Sequence, residues 1–208
     1  EAGPEEMVAV LEAANRAQTA WKRLDAKARA KALHELASRI EAADHQPAAI
    51  LMSREMGKPY PEAIGEIANV APIFRYYAEM ARDEAGKVAG TTQAGSFQYA
   101  RYEPYGVSVH IMPFNFPVLL MCWTVAASLA AGNACVIKPA PATTLSTLEF
   151  MKHFIGLPEG LVSCLPGGAA LAEALIASPQ THAVAFTGSV AAGRAVGAAA
   201  AQAMKPAV

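Results

Sequence analysis

The sequence predicts an α/β fold, a Rossmann-like parallel sheet with flanking helices that is preceded by an N-terminal helical segment. From about residue 106, short apolar runs rich in β-branched residues alternate with longer helical patterns. Before residue 85, apolar residues recur at helical spacing. We therefore divide the chain into an N-terminal helical part (1–85), a linker with an oligomerisation strand (86–105) and a Rossmann-like core (106–208).

The predicted core consists of four strands, each followed by a helix. Such alternation is typical of parallel strands joined by right-handed crossovers. The sequence has no GxGxxG, which argues against the common dinucleotide fingerprint. The predicted strands are 106–112, 134–138, 161–165 and 183–187, and the predicted helices are 118–131, 144–155, 169–178 and 190–202.

The N-terminal part predicts several amphipathic helices. Asp25 and Asp44 are placed to cap two of them, and Gly57 is placed to end the second. A longer helix is expected over 61–82, with a kink or a split at Pro72. The segment 86–100 is polar and contains glycine, and alternation over 97–103 predicts an exposed edge strand that needs a partner.

Composition excludes several classes of function. Of the 208 residues, 53% are hydrophobic and 17% are charged, which indicates a globular chain. The net charge of −1 offers no basic patch for nucleic acid. The charge-free run 118–131 is too short to span a bilayer, and the first residues have no apolar signal-peptide core. We expect a cytoplasmic protein that binds neither nucleic acid nor membranes.

Three cysteines, Cys122, Cys135 and Cys164, lie in apolar runs and are expected to be reduced core thiols. None lies beside a histidine or in a glycine-rich turn that would lower its pKa. No Cys or His spacing indicates a metal site, so we predict none.

Asn115 is the first candidate for chemistry, because Pro113 and Pro117 bracket it at the end of a predicted buried strand. A carboxamide held there can donate to an oxygen that becomes negative during attack on a carbonyl. An asparagine that satisfies the backbone of a turn fits the same pattern. The residues alone leave both interpretations open.

Lys138 and the segment Phe186–Ser189 are the other candidates. Lys138 ends a strand, where an ammonium can bind ribose hydroxyls or phosphate, although composition alone favours a solvated lysine. Gly188 permits close approach of an anion, and Ser189 opens a helix whose N-terminus favours pyrophosphate. An ordinary strand–helix turn with small packing residues is the alternative for this segment.

Three motifs, PFNFP at 113–117, LAAGNACVIKPAP at 129–141 and FTGS at 186–189, together resemble the aldehyde dehydrogenase superfamily. They occur in that family's order and at about its separations, and the similarity runs from about Glu5 to Val208. The resemblance implies oxidation of an aldehyde to a carboxylic acid by NAD or NADP through a cysteine thioester. It implies that this chain supplies the cofactor cleft, and that the catalytic Cys and Glu of the family lie elsewhere. The chain alone is therefore expected to be inactive.

The resemblance assigns Asn115 as the oxyanion donor and implies a set of cofactor-binding residues. It also implies a homo-oligomer, a dimer or tetramer, for the intact protein and a small-molecule aldehyde as substrate. The expected cofactor-binding residues are Ile111, Met112, Pro113, Phe114, Lys138, Ala140, Pro141, Gly168, Phe186, Gly188, Ser189 and Gly193.

Two residues depart from the family pattern. Pro141 stands where NAD-specific relatives often carry Glu, so the choice between NAD and NADP stays open. Phe114 stands where many relatives carry Trp, and phenylalanine there occurs among CoA-acylating relatives. The alternatives are therefore a CoA-acylating aldehyde dehydrogenase and a non-catalytic nucleotide-binding or assembly fragment.

Overall fold

A computed structural model describes residues 1–82, 86–90 and 93–208 of the chain. The predicted boundary at residue 85 and residues 91–92 of the predicted linker lie outside the described residues. The rest of the chain forms helices packed on a parallel sheet, together with a separate two-stranded hairpin.

The main sheet has four parallel strands in the order β5-β4-β3-β6. The chain adds strands in one direction from β3 and then returns to the other side of β3 for β6. The order therefore reverses between β3 and β6, and such a switch point places a crevice outside the carboxyl ends of the strands. The strands are β3 (Val107–Ile111), β4 (Ala134–Lys138), β5 (Val162–Cys164) and β6 (Ala183–Phe186). The predicted α/β fold is confirmed.

Residues 206–208 continue the sheet beyond β6. The backbone N–H of Val184 donates to Pro206, and that of Phe186 donates to Val208. Val208 in turn donates to Val184 at 3.0 Å, so this segment runs parallel to β6.

Helices follow the strands much as expected. The predicted helix 144–155 is too long, because α7 ends at Met151 and a short 3₁₀ turn over Lys152–Phe154 leads to Gly156, which has a φ of 104°. The helices of this part are α6 (Pro117–Ala131), α7 (Thr144–Met151), α8 (Ala169–Ala177) and α9 (Val190–Gln202).

The N-terminal part is helical, as predicted, with two corrections. The Asp25 side chain accepts from Ala28 and caps α2, as predicted. Asp44 instead precedes the N-cap residue His45 and accepts from Gln46. The expected split of the helix 61–82 is present, but it lies at Asn69 and not at Pro72. Pro72 therefore lies in the first turn of the second helix, where a missing N–H costs little. The helices are α1 (Pro4–Trp21), α2 (Ala26–Ala42), α3 (Gln46–Met56), α4 (Tyr60–Ala68) and α5 (Val70–Met80).

Helix α6 links the two parts of the chain. At its carboxyl end, the Trp21 indole N–H donates to Leu129 O at 2.8 Å, and the Gln18 amide donates to Gly132 O at 3.1 Å. Gly132 ends the helix with a φ of 99°. Helix α6 also packs against α5, and at its amino end Glu66 of α4 accepts from Val118 N and Leu119 N. Both ends of α6 are therefore anchored by the N-terminal helices.

The hairpin consists of β1 (Gly86–Ala89) and β2 (Gln98–Arg101), paired antiparallel. The prediction treated 86–89 as linker, which is wrong, because GKVA has no local strand pattern and is ordered by pairing with β2. Gly86 is required there, since a Cβ at this position would lie 2.0 Å from the carbonyl oxygen of Ala100. The expected strand 97–103 is shorter at both ends.

Within the described ranges, the helices are too short or too polar to cross a membrane.

Candidate active site

Three strands end in register at the carboxyl edge of the sheet. Ile111 at the end of β3 pairs with Lys138 on one side and with Phe186 on the other. Backbone bonds extend this alignment, because Met112 N donates to Lys138 O and Thr187 N donates to Ile111 O, each at 3.1 Å. The segments that follow these strands therefore emerge side by side.

A cavity of about 1080 Å³ lies at this edge and extends between α8 and α9. It brings together twelve of the thirteen residues selected from the sequence. They are Ile111, Met112, Pro113, Phe114, Asn115, Lys138, Ala140, Pro141, Gly168, Phe186, Gly188 and Ser189.

The thirteenth residue predicted from the sequence, Gly193, does not line the cavity. A Cβ at Gly193 would lie 3.2 Å from the Phe186 ring, and one at Gly188 would lie 2.7 Å from it. From the sequence, Gly188 was explained by the close approach of an anion, and Gly193 was selected through the family resemblance. In the structure, both make room for the Phe186 side chain.

Asn115 lies in the turn between β3 and α6. Pro113 before it is buried, and Pro117 after it is the first residue of α6, where proline is favoured. The Asn115 side chain is exposed and lines the cavity. Its backbone carbonyl oxygen accepts a hydrogen bond of 2.8 Å from Lys58 Nζ. The turn thus presents the carboxamide and anchors the backbone.

Lys138 is 6% exposed, so it is not a solvated surface lysine. Its ammonium donates to Pro139 O at 2.8 Å and to Gly167 O at 3.0 Å. Burial lowers its pKa, an effect that Cys164 and Glu1 oppose. An ammonium has three donors, so one N–H remains for a ligand in the cavity.

Ser189 is the N-cap of α9, and its hydroxyl accepts from Ala192 N at 3.2 Å. The capping role expected from the sequence is therefore present. The first turn of α9 contains no acidic residue. The helix N-terminus thus offers backbone N–H groups and a favourable dipole to an anion at this side of the cavity.

The sequence analysis missed most of the wall between α8 and α9, which is built largely of alanine. Small side chains on two facing helices leave a flat apolar slot, and the signal for it was the alanine-rich runs of both helices. Glu173 on α8 is an exposed carboxylate that also lines the cavity. The additional lining residues are Ala169, Ala172, Glu173, Ile176, Ala177, Thr187, Ala192, Ala195, Val196, Ala198, Ala199, Gln202 and Ala203.

The three cysteines do not resemble nucleophiles. Burial raises the pKa of Cys122 well above its usual range, and it raises the pKa values of Cys135 and Cys164 to about 12. A thiol with so high a pKa is almost entirely protonated at neutral pH. In the described ranges, His, Cys, Asp and Glu side chains form no cluster of three or more suited to a metal ion.

A sequence model described as "Aldehyde dehydrogenase family" matches residues 1–208. The chain belongs to the aldehyde dehydrogenase family. Among curated relatives, it is 36% identical over 199 residues to an α-ketoglutaric semialdehyde dehydrogenase of Bacillus subtilis (strain 168), covering 94% of this chain and 41% of that protein.

Solved structures agree with this assignment. An E. coli NADP dependent enzyme superposes with a TM-score of 0.92 at 34% identity, covering 99% of this chain and 43% of that one. PnpE in complex with nicotinamide adenine dinucleotide superposes with a TM-score of 0.89 at 35% identity, covering 98% and 42%. The chain spans about two fifths of the length of these relatives.

Proposed function

We propose that the whole protein oxidises an aldehyde to a carboxylic acid with NAD or NADP through a cysteine thioester. This chain then supplies the cofactor cleft and the oxyanion donor. The observation that carries the proposal is that Asn115, Lys138 and Ser189 line one cavity at the carboxyl edge of the sheet. Family membership gives these three groups a common purpose.

Asn115 is proposed to donate its amide N–H to the carbonyl oxygen of the substrate as that oxygen becomes negative. One such donor is worth about 3 kcal/mol in a site from which water is excluded. Phe114 precedes it, is 58% exposed and lines the cavity, so it offers an apolar wall to an aldehyde.

The rest of the cavity fits a dinucleotide. Its volume of about 1080 Å³ lies just above the usual range for ligand pockets, which ends at about 1,000 Å³. Lys138 has an N–H for ribose hydroxyls or phosphate, α9 offers its N-terminus to the pyrophosphate, and the alanine slot between α8 and α9 suits a flat base. Bound NAD or NADP would supply the hydride acceptor.

The cofactor preference follows from charge. Pro141 provides neither an acceptor for ribose hydroxyls nor a charge that repels a 2′-phosphate. Among the described residues, Glu173 is the one carboxylate that lines this cavity. One structural relative is described as NADP dependent, and another is bound to NAD. We propose that the site accepts both dinucleotides.

The proposal is tested with the whole protein and a panel of aldehydes, by following reduction of NAD and NADP with and without coenzyme A. Turnover without coenzyme A supports the hydrolytic reaction, and an absolute requirement for it supports the acylating alternative. Asn115→Ala should lower kcat by about 10²–10³-fold, with the cofactor KM within about twofold of the wild-type value. Wild-type kcat in Asn115→Ala would contradict the oxyanion role.

The 208-residue chain by itself is proposed to bind the dinucleotide without turnover. Cys122 and Cys135 are buried and Cys164 is half-buried, and the raised pKa values of all three thiols keep them protonated. Aldehyde-dependent reduction of NAD or NADP by this chain would refute that. Binding of neither dinucleotide would leave an assembly fragment as the remaining interpretation.

The hairpin is proposed to associate with a second copy of the protein. Val88 on β1 and Tyr99 on β2 are 72% and 65% exposed, and Phe97 beside β2 is 75% exposed. Exposed apolar strand residues of this kind need a partner. Replacing Val88 and Tyr99 by Lys should shift the whole protein to a smaller species in sedimentation experiments, and an unchanged sedimentation coefficient would contradict this.

A further inference from the structure

We propose that Lys58 and Glu66 form a positioning pair that fixes the direction in which Asn115 presents its carboxamide. This inference rests on the proposed function, because it concerns how the oxyanion donor is held. Lys58 lies in the loop between α3 and α4, and Glu66 lies on α4. The sequence alone gave neither residue a part in the site. Neither side chain reaches the cavity lining.

Glu66 joins two elements from a buried position. It is 3% exposed and lies on α4. One carboxylate oxygen accepts from Val118 N at 2.9 Å and from Leu119 N at 3.0 Å, and it thereby caps the first turn of α6. The other oxygen pairs with Lys58 Nζ at 2.5 Å. The carboxylate therefore fixes the residues that directly follow the Asn115 turn.

Lys58 holds the turn itself. It is 6% exposed, and its ammonium donates to Asn115 O at 2.8 Å. The same ammonium lies 3.6 Å from the centre of the Phe116 ring. The buried Lys58 ammonium thus contacts the Asn115 carbonyl, the Phe116 ring and the Glu66 carboxylate. The peptide between Asn115 and Phe116 cannot rotate without breaking the hydrogen bond to that carbonyl.

The fixed orientation of the Asn115 turn matters more for catalysis than for the stability of the fold. An oxyanion donor acts only when it lies within about 0.5 Å of its working position. The prolines on either side restrict their own φ angles but leave the peptide after Asn115 free to turn. A buried ion pair is weak evidence for stability, since apolar residues of similar size often stabilise a fold as well. The pair is therefore explained by orientation of the turn.

The test uses the paired substitution Lys58→Met with Glu66→Gln in the whole protein. Met fills the volume of the lysine stem, and the Gln oxygen can still accept from Val118 and Leu119, so no unpaired charge remains buried. We expect kcat to fall at least tenfold, while the cofactor KM stays within twofold. Asn115→Ala added to this variant should lower kcat by much less than it does in the wild type, because residues that act as one unit are not additive.

Gln18→Leu is the matched control. It removes a buried hydrogen bond from the other end of the same helix, α6, without touching the Asn115 turn. We expect its Tm to fall while kcat stays at the wild-type value. If it lowers kcat as the paired variant does, general loosening of α6 explains the effect and the inference is overturned.

Two further results would overturn the inference. The first is a wild-type kcat in the paired variant, whether or not its cofactor KM rises. The second is that Asn115→Ala lowers kcat by the same factor in the paired variant as in the wild type. If the paired variant does not fold, Lys58→Arg takes its place, because it keeps the charge opposite Glu66 but puts a larger planar group beneath the carbonyl. It should lower kcat several-fold, and a wild-type value would overturn the inference. A whole protein without aldehyde oxidation would refute the proposed function instead.

Discussion

The ammonium of Lys138, at the end of β4, donates a hydrogen bond of 3.0 Å to the carbonyl oxygen of Gly167, in the segment after β5. This contact joins two of the segments that border the cavity. The lysine side chain is buried and two of its N–H groups are bonded to backbone carbonyls, so the ammonium is held within the cavity wall.

Replacing Lys138 by Met should weaken binding of NAD and NADP at least tenfold, because the remaining ammonium donor is lost and two carbonyl groups lose theirs. Calorimetry measures the change. Lys152→Met is the control, since it removes the same charge from an exposed pair with Glu149. Equal affinities in the two variants would contradict the role of Lys138.

Gly188→Ala should destabilise the protein by about 1–3 kcal/mol and weaken cofactor binding, because the new Cβ would lie 2.7 Å from the Phe186 ring. Adding Phe186→Leu should recover much of the stability. Gly197→Ala, inside the following helix α9, meets no atom within 4 Å and should instead stabilise the protein by about 0.5–1 kcal/mol. Urea unfolding checks all three, and an equal effect at positions 188 and 197 would count against the packing argument.

His110 should make the protein acid-sensitive. It is buried on β3, bonded to Ser108 and Thr124, and burial lowers its pKa to about 3. In the unfolded chain this histidine takes up a proton at a pH near 6.5, so its contribution to the free energy of unfolding is fully present above that pH. The free energy of unfolding falls by about 1.4 kcal/mol per pH unit as the pH drops from 6.5 towards 3.

His110→Gln isolates this contribution from those of the other histidines. The free energy of unfolding of the wild type, measured by urea at several pH values, should fall more steeply below pH 6.5 than that of the variant. Parallel curves for the two proteins would show that the histidine is not held neutral.

The three thiols should react at least 100-fold more slowly with a disulfide reagent in the folded chain than in urea. A pKa of about 12 for Cys135 and Cys164 leaves about a thousandth of the usual thiolate. Rapid reaction of any one of them in the folded chain would indicate an exposed thiol and reopen its candidacy as a nucleophile.

The sequence predicted local features well. The strand 134–138, the end of the helix 118–131 and the stop at Gly57 follow from apolar runs and glycine residues, which act over a few positions. The cavity residues could be predicted because the carboxyl ends of parallel strands lie at one edge of the sheet. Sequence motifs that follow the strands identified which residues lie there.

Long-range contacts could not be predicted in the same way. Glu55 accepts from Leu145 N and Ser146 N and caps α7, across 90 residues of sequence. Glu66 does the same for α6 across 52 residues. No local pattern distinguishes such a buried carboxylate from a solvated one, so this segment was assigned no part in the site. Strand β1 was missed for a related reason, because it is ordered by its pairing with β2.

We propose that one cavity holds a dinucleotide between Lys138 and the N-terminus of α9, while Asn115 acts on the substrate. Calorimetric titration of NAD and NADP into the chain and its Lys138→Met and Asn115→Ala variants is the decisive measurement. We expect one site per chain, with an affinity at least tenfold weaker in Lys138→Met and within twofold of wild type in Asn115→Ala. Binding of neither dinucleotide, or equal affinity in all three proteins, would contradict it.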